Sequence, residues 1–240
     1  MATTSPPQYI YKTLRIPPNS PHLATKYRAT KLAALTTSPT SFAVTLADES
    51  LHPPSTWQAR LAPPSIILVC IATTPTEDAL SEEDLLLERE WIGFATIRGP
   101  LSWENLFFLP ESGQPVPADV DAETMWHLCN VYTSPAHRRR GISTRLISAA
   151  TEIARAHTKE LQGAKQMRAR IRLFCSPKNE VVVSLYAGLG FVEAGRITLE
   201  EAFVANGDEG VLPRDRESTE MLRERWKGRG GLAMERVVDV

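Results

Sequence analysis

Three consecutive arginines, a glycine and two small hydroxyl residues stand where a strand-like stretch gives way to a helix-like one. They are Arg138, Arg139, Arg140, Gly141, Ser143 and Thr144. Upstream, Trp126, Leu128 and Asn130 alternate with His127, Cys129 and Val131, a period of two that predicts a strand over Trp126 to Thr133. Pro135 stops it, because proline has no N–H for a ladder. Beyond Gly141 the apolar residues Ile142, Leu146, Ala149, Ala150, Ile153 and Ala154 recur at helical spacing. The first N–H groups of a helix lack internal partners, and the helix dipole places roughly half a positive charge there. Glycine lets a ligand come close to that backbone, and Ser143 and Thr144 keep the approach open while adding hydroxyl donors. With the arginine charges, this turn is suited to a di-anion such as a pyrophosphate. The plainer alternative is a basic surface turn ahead of an ordinary amphipathic helix.

The order of residues from Val131 to Ser143, V-Y-T-S-P-A-H-R-R-R-G-I-S, resembles motif A of the GNAT acetyltransferases. That family reads there hydrophobic-x-V-x-P-x-x-(Q/R)-x-x-G-x-(G/A). Arg138 takes the Q/R place and Gly141 the first glycine. Thr133 replaces the usual valine, and Ser143 stands where the family prefers Gly or Ala. A second stretch, Asn179 to Phe191, is similar to the family's N-x-x-A-x-x-L-Y-x-x-L-G-F signature. Asn179, Leu185, Tyr186, Leu189, Gly190 and Phe191 are in place, with Val182 at the usual alanine. The resemblance is clear from Trp91 to Thr198 and looser in the flanks.

The resemblance implies an α/β fold, a mixed and mostly antiparallel twisted sheet of about seven strands with helices on both faces. Two neighbouring parallel strands, Trp126 to Thr133 and Ala169 to Cys175, would splay apart around the pantetheine arm of acetyl-CoA. Backbone groups of Val131, Tyr132 and Thr133 would bond that arm, and the N–H groups of Arg139 to Thr144, Gly141, Ile142 and Ser143 among them, would hold the pyrophosphate. Arg138, Asn179 and Tyr186 join the same expected cofactor set. The implied activity is an N-acetyltransferase that moves an acetyl group from acetyl-CoA, as cosubstrate, to a primary amine by direct attack on the thioester. The alternative is a non-catalytic acyl-CoA-binding domain of the same fold. Tyr186 falls where the family carries its general acid, and a phenol with a pKa of ~10 stays protonated at neutral pH. His127 sits where family members with an acidic base on this strand place it. A histidine with a pKa of ~6.5 could serve, or it could be a structural residue bonded within the sheet. Glu88, Glu90 and a water chain are the other candidate bases.

The whole chain bounds these readings. Its 240 residues, 42% hydrophobic, fit one domain over 1–240 with insertions near 73–90, 99–125 and 199–231. A net charge of -1 offers no global field for nucleic acid or membrane, and no aromatic stacking motif accompanies the arginines. The longest apolar run, Ile66 to Ala72, is too short for a bilayer span of roughly 20 residues, and the first residues lack a signal-peptide core. Cys70, Cys129 and Cys175 lie in apolar runs without metal spacing, which predicts reduced core thiols in a cytoplasmic or nuclear protein. The five histidines form no ligand pattern, so no metal is expected. The partner is an amine acceptor, a small molecule or a peptide or protein. Monomer and homodimer both remain open.

The elements that must position these residues follow from the pattern. Met1 to Pro7 reads as a frayed start. Tyr9 to Ile16 reads as a strand, and a helix capped by Asn19 or Ser20 runs to about Leu35. Thr56 to Leu61 reads as a second helix. Ile66 to Ala72 and Trp91 to Ile97 read as strands. Between them, Thr73 to Glu90 carries seven acidic residues, Glu77 and Asp78 among them. It reads as a solvated connector, or else as a charge lure for a cationic acceptor. Gly99 to Met125 is a Pro-rich connection with Trp103, Phe107 and Phe108, of the kind that in this family often faces the acceptor. Val181 to Val183 has strand propensity, but Leu185 and Leu189 and the resemblance predict a helix. Phe191 to Thr198 and Leu232 to Val238 read as the last strands, with a helix near Met221 to Trp226.

Overall fold

The computed structural model describes residues 9–74, 80–163 and 166–240. The frayed start at Met1 to Pro7 and the acids Glu77 and Asp78 lie outside them. In chain order the elements are β1 (Ile10–Arg15), α1 (Pro21–Thr37), α2 (Leu46–Ser50), α3 (Pro54–Ala59), β2 (Ser65–Thr73), α4 (Glu82–Glu88), β3 (Trp91–Leu101), α5 (Trp103–Leu106), β4 (Glu123–Thr133), α6 (Ile142–Leu161), β5 (Arg168–Cys175), α7 (Glu180–Gly188), β6 (Val192–Ile197), α8 (Leu199–Asn206), α9 (Glu220–Lys227) and β7 (Gly231–Asp239). The strands form one seven-stranded mixed sheet in the order β1-β2-β3-β4-β5-β7-β6. β1 with β2, β5 with β7 and β6 with β7 run antiparallel, whereas β4 and β5 run parallel. The parallel register runs from Glu123↔Arg168 to Leu128↔Leu173, although β4 continues to Thr133 and β5 to Cys175. Just past that end, Asn130 takes φ 55, a left-handed conformation that asparagine tolerates better than most residues. Among the described residues, no helix is long and apolar enough to cross a membrane.

The chain divides into two compact units. The first comprises 1–62, 66–96 and 130–149. Its helix α1 starts where Ser20 Oγ accepts from the Leu23 N–H at 3.4 Å, with Pro21 in the first turn. The buried residues of α1 are Leu23, Ala24, Tyr27, Lys31, Ala34 and Leu35, a stripe at helical spacing that carries one lysine. The stripe meets Trp57 of α3, Val69 and Ile71 of β2, Leu85 and Leu86 of α4, and Phe94 of β3 in one core. Tyr27 sits edge-on to Trp57 and Phe94, each with ring centroids 5.9 Å apart. The expected solvated connector before β3 holds a helix, α4. Ser81 caps it, and Glu82, Glu83 and Asp84 occupy its first turn, where negative charge suits the helix dipole.

The second unit comprises 63–65, 97–129 and 150–240. Its centre is β5, paired on one side to β4 and on the other to β7 over the full length Arg168↔Asp239 to Cys175↔Leu232. The run at Val181 to Val183 is helical, as expected: the Asn179 side chain accepts from the Val182 N–H at 3.3 Å and caps α7. Three features here were not expected: β4 begins at Glu123 rather than Trp126, α5 lies within the stretch read as a connection, and α8 occupies the charged stretch after Thr198, which forms a capping box with Glu201.

Candidate functional site

In the first unit β4 ends on Thr133, and the Ser134 N–H bonds Ile92 O at 2.8 Å, anchoring the turn to β3. A single 3-10 turn, Pro135–His137, leads to the arginines. Arg139 takes φ 62 and Gly141 φ 74, so the backbone coils left-handed twice before the first helical hydrogen bond, Arg145 N–H to Gly141 O at 3.0 Å. That bond leaves the N–H groups of Ile142, Ser143 and Thr144 ahead of the ladder. A Cβ placed on Gly141 would meet no atom within 4 Å. The space over the helix start is open, and a side chain would occupy it. α6 has 20 residues, long enough for a full dipole. Glycine serves a second purpose at Gly93 of β3, where a Cβ would lie 2.9 Å from both Ile142 Cγ2 and Tyr132 O, so its absence lets the start of α6 seat against the strand. The turn can therefore take a phosphate-bearing ligand on exposed N–H groups at a helix N-terminus.

The arginines divide their tasks. Arg138 Nη2 donates to Ser38 Oγ at 2.9 Å and its Nε to Thr133 O at 3.3 Å, tying the end of α1 to the end of β4. Arg140 Nη1 donates to the Tyr11 hydroxyl at 2.9 Å, and Arg139 is exposed. Of the three expected backbone contributors, Val131 is half-buried, whereas Tyr132 and Thr133 are buried. The Tyr132 ring belongs to the core against Phe94, 5.2 Å between centroids, with its hydroxyl 3.1 Å from Thr37 Oγ1. Its side chain is thus committed, and only its backbone remains for a ligand. The Thr133 and Ser143 hydroxyls lie 2.9 Å apart. Glu88 and Glu90 are exposed residues of the same unit.

The second unit holds the other expected residues, Asn179, Tyr186 and His127. The Asn179 side chain is occupied as the cap of α7. Tyr186, on α7, is 7% exposed and sits edge-on to Phe191 with centroids 5.9 Å apart. Burial raises the pKa of its phenol, and the neighbouring thiols of Cys175 and Cys129 add to the effect. Its O–H stays a proton donor throughout the physiological range. His127 on β4 is fully buried, with Nε2 2.9 Å from Asn206 Oδ1 and its ring 4.7 Å from that of Phe174. Burial, reinforced by the charge of Arg172, pushes its pKa down to about 3 against the opposing bond to Asn206. The expected base is thus a neutral, enclosed imidazole whose environment suits a fixed hydrogen-bond partner better than a proton acceptor near neutral pH.

One group escaped the sequence reading. Arg172 of β5 is fully buried beside His127, its register partner on β4. Its signal was present: Arg170 and Arg172 interrupt an otherwise apolar strand at period two, and charges placed inside a sheet covered on both faces need partners. Among the described residues, no group of three His, Cys, Asp or Glu is placed to hold a metal ion.

Residues 75–191 match the family model described as acetyltransferase (GNAT) family. A search of curated protein sequences returns no match. Among solved structures, a GNAT-family acetyltransferase from Streptococcus pneumoniae is similar at 15% identity, with 95% of this chain and 99% of that one covered and a TM-score of 0.50. Arabidopsis thaliana NAA60, in complex with acetyl-CoA, is similar at 14% identity over 95% and 99% of the two chains, with a TM-score of 0.48. At such identity the Streptococcus likeness speaks for the fold, and the parallel β4–β5 pair inside a seven-stranded mixed sheet agrees with it. Family match, shared fold and the strand–turn–helix at Gly141 converge on a GNAT acetyltransferase domain, matched over residues 75–191.

Proposed function

We propose that this chain moves the acetyl group of acetyl-CoA to a primary amine by direct attack of the amine nitrogen on the thioester carbonyl. The observation that carries the proposal is the open space at Gly141, φ 74, over the unpaired N–H groups that begin α6. When bound, acetyl-CoA supplies an activated acyl carbon and a thiolate leaving group. The chain's own residues do the rest. The N–H groups of Ile142, Ser143 and Thr144 receive pyrophosphate oxygens, and Arg139 and Arg140 add charge. Arg138 holds the shape of the turn through Ser38 and Thr133. Backbone groups of Val131 to Thr133 offer a strand edge to the amide-bearing arm.

In the transfer a C–N bond forms, the C–S bond breaks, the amine loses a proton and the sulfur gains one. Tyr186 is the donor to sulfur, since burial keeps its phenol protonated. The enclosed, neutral His127 is assigned to support and not to the base. The amine enters in its neutral form and its proton passes to water.

Isothermal calorimetry with acetyl-CoA, followed by thiol release over a panel of primary amines, tests the reading. Binding with turnover on at least one amine is expected. Binding without turnover on any of them points instead to the acyl-CoA-binding module, and no binding removes both readings.

A further inference from the structure

The charges around β5 do not balance. Glu123 of β4 accepts from Arg168 at 2.8 Å and from Arg170 at 2.6 and 3.1 Å, using both carboxylate oxygens. Glu235 of β7 accepts from Arg170 Nη1 at 2.7 Å on one oxygen and from the Gln114 side chain on the other. Both glutamates are buried, and every one of their carboxylate oxygens already accepts a bond from a residue other than Arg172. Arg172 faces Glu235 in the β5–β7 register, yet no carboxylate oxygen bonds it. Its Nη2 donates a long bond to Asn105 O at 3.3 Å, and its buried Nε and Nη1 have no partner among the described residues. Aromatic faces fill the remaining space, with the guanidinium carbon 4.4 Å from the Phe108 centroid and 4.8 Å from that of Phe174.

A fully buried cation facing two aromatic rings and a neutral imidazole is short of an anion. Its geometry says which kind. Asn105 O takes one proton of Nη2. Whichever proton that is, one two-pronged edge of the guanidinium, either Nε with Nη2 or Nη1 with Nη2, stays complete, and such an edge matches a carboxylate. Burial lowers the guanidinium pKa to about 9, with Glu235 and Glu201 opposing. Those two negative charges leave room for a monoanion and work against a doubly charged phosphate. The place in the fold says whose carboxylate. Tyr186 feels the thiols of Cys129 and Cys175, which lie two and three residues further along β4 and β5 than His127 and Arg172. At the rise of a strand that is on the order of 7–10 Å, within reach of one small amino acid. The cover is Phe108, in the connection between β3 and β4, held by its N–H bond to Gln114 Oε1 at 3.1 Å.

We propose that Arg172 is the recognition site for a carboxylate on the acceptor amine, reached when the Phe108 ring swings off the guanidinium. The proposal rests on the acetyl-transfer reading and narrows its acceptor to amines of the amino-acid type, free or as the end of a short peptide.

Matched pairs differing only in the carboxylate test it: glycine and glycinamide, β-alanine and β-alaninamide, phenylalanine and phenylalaninamide, and one tripeptide with its C-terminal amide, all at equal ionic strength. The acid of at least one pair should exceed its amide by ~10-fold or more in kcat/KM. That ratio should fall towards one in Arg172→Gln and be partly restored in Arg172→Lys. Preference for the tripeptide acid over the free amino acids identifies a peptide C-terminus as the source. A second readout needs no turnover: N-acetylated amino acids, which carry a carboxylate but no reactive amine, should raise the Tm of the full chain where their amides do not. If no amine turns over while this difference persists, acetyl transfer fails and the carboxylate site stands. Acids and amides that are equal in both assays on the parent protein overturn the site, and this comparison holds even if the Arg172 variants do not fold.

Discussion

The hydroxyls of Thr133 and Ser143 lie 2.9 Å apart, joining the last residue of β4 to the first turn of α6. Each departs from the GNAT motif, and each supplies the other's hydrogen-bond partner. Ser143→Ala, though nearer the family pattern, should strand the buried Thr133 hydroxyl and cost about 1 kcal/mol. Thr133→Val should cost less, because half-buried Ser143 can turn to water. The double variant should be close to the parent, giving a coupling of about 1–2 kcal/mol in a urea-denaturation cycle. Additive single losses would show the two hydroxyls to be independent.

Gly141→Val should abolish detectable acetyl-CoA binding in calorimetry while the protein stays folded. Nothing lies within 4 Å of an added Cβ, so the main structural penalty is the φ of 74, about 1–3 kcal/mol. Unchanged affinity would remove the phosphate cradle. Arg140→Ala should weaken binding several-fold, and the deficit should shrink as salt rises.

Tyr186→Phe keeps the ring against Phe191 and deletes the proton donor. Turnover on a responsive amine should fall by at least ~10-fold, with acetyl-CoA affinity and Tm nearly unchanged. Burial raises the Tyr186 pKa, so below the unfolded value of ~10 both states hold the proton and no stability is lost. Above it the unfolded chain ionises first and stability declines. The phenylalanine variant should lack that part of the alkaline decline. Full activity in Tyr186→Phe would leave thiolate departure to water.

His127 gives the opposite pH signature. Its pKa is pushed down to about 3 in the fold against ~6.5 when unfolded. The contribution is complete above the unfolded value and lost as pH falls towards the folded one, at about 1.4 kcal/mol per pH unit. His127→Gln, which retains a partner for Asn206, should show a shallower loss of stability between pH 6 and 4. The parent's pH–rate profile should show no limb that the variant lacks. A limb near 6.5 that vanishes in His127→Gln would restore the imidazole as base.

The strand–turn–helix and α7 were legible because local signals agreed with the motif order. The period changes at Gly141, and the Asn179 cap outweighs the strand propensity of Val181 to Val183. The reading faltered where charge was taken for solvent exposure. Glu123 begins β4 and is buried, but a glutamate there reads as loop until Arg168 and Arg170, some 45 residues on, are known to meet it. The capping box of Thr198 and Glu201 marked α8 within a stretch read only as a charged insertion. The acids Glu82 to Asp84 are exposed, as a solvated connector requires, but the helix α4 whose first turn they occupy was not foreseen. The strand pattern did mark Arg172, but nothing local reveals that Glu235, its register partner, bonds Arg170 and Gln114 instead.

The braces of the basic turn come from the other end of the chain. Tyr11 holds Arg140, Lys31 reaches Asn130 at the left-handed bend of β4, Thr37 bonds the Tyr132 hydroxyl and Ser38 holds Arg138. All four precede residue 75, where the family match begins. A shortened chain starting at that boundary would keep every letter of both motifs and lose the groups that give the first one its shape. Excision of the matched segment should therefore yield a fragment that keeps the family's motifs and cannot hold its ligand. The working minimum of this domain is set by its N-terminal strand and first helix.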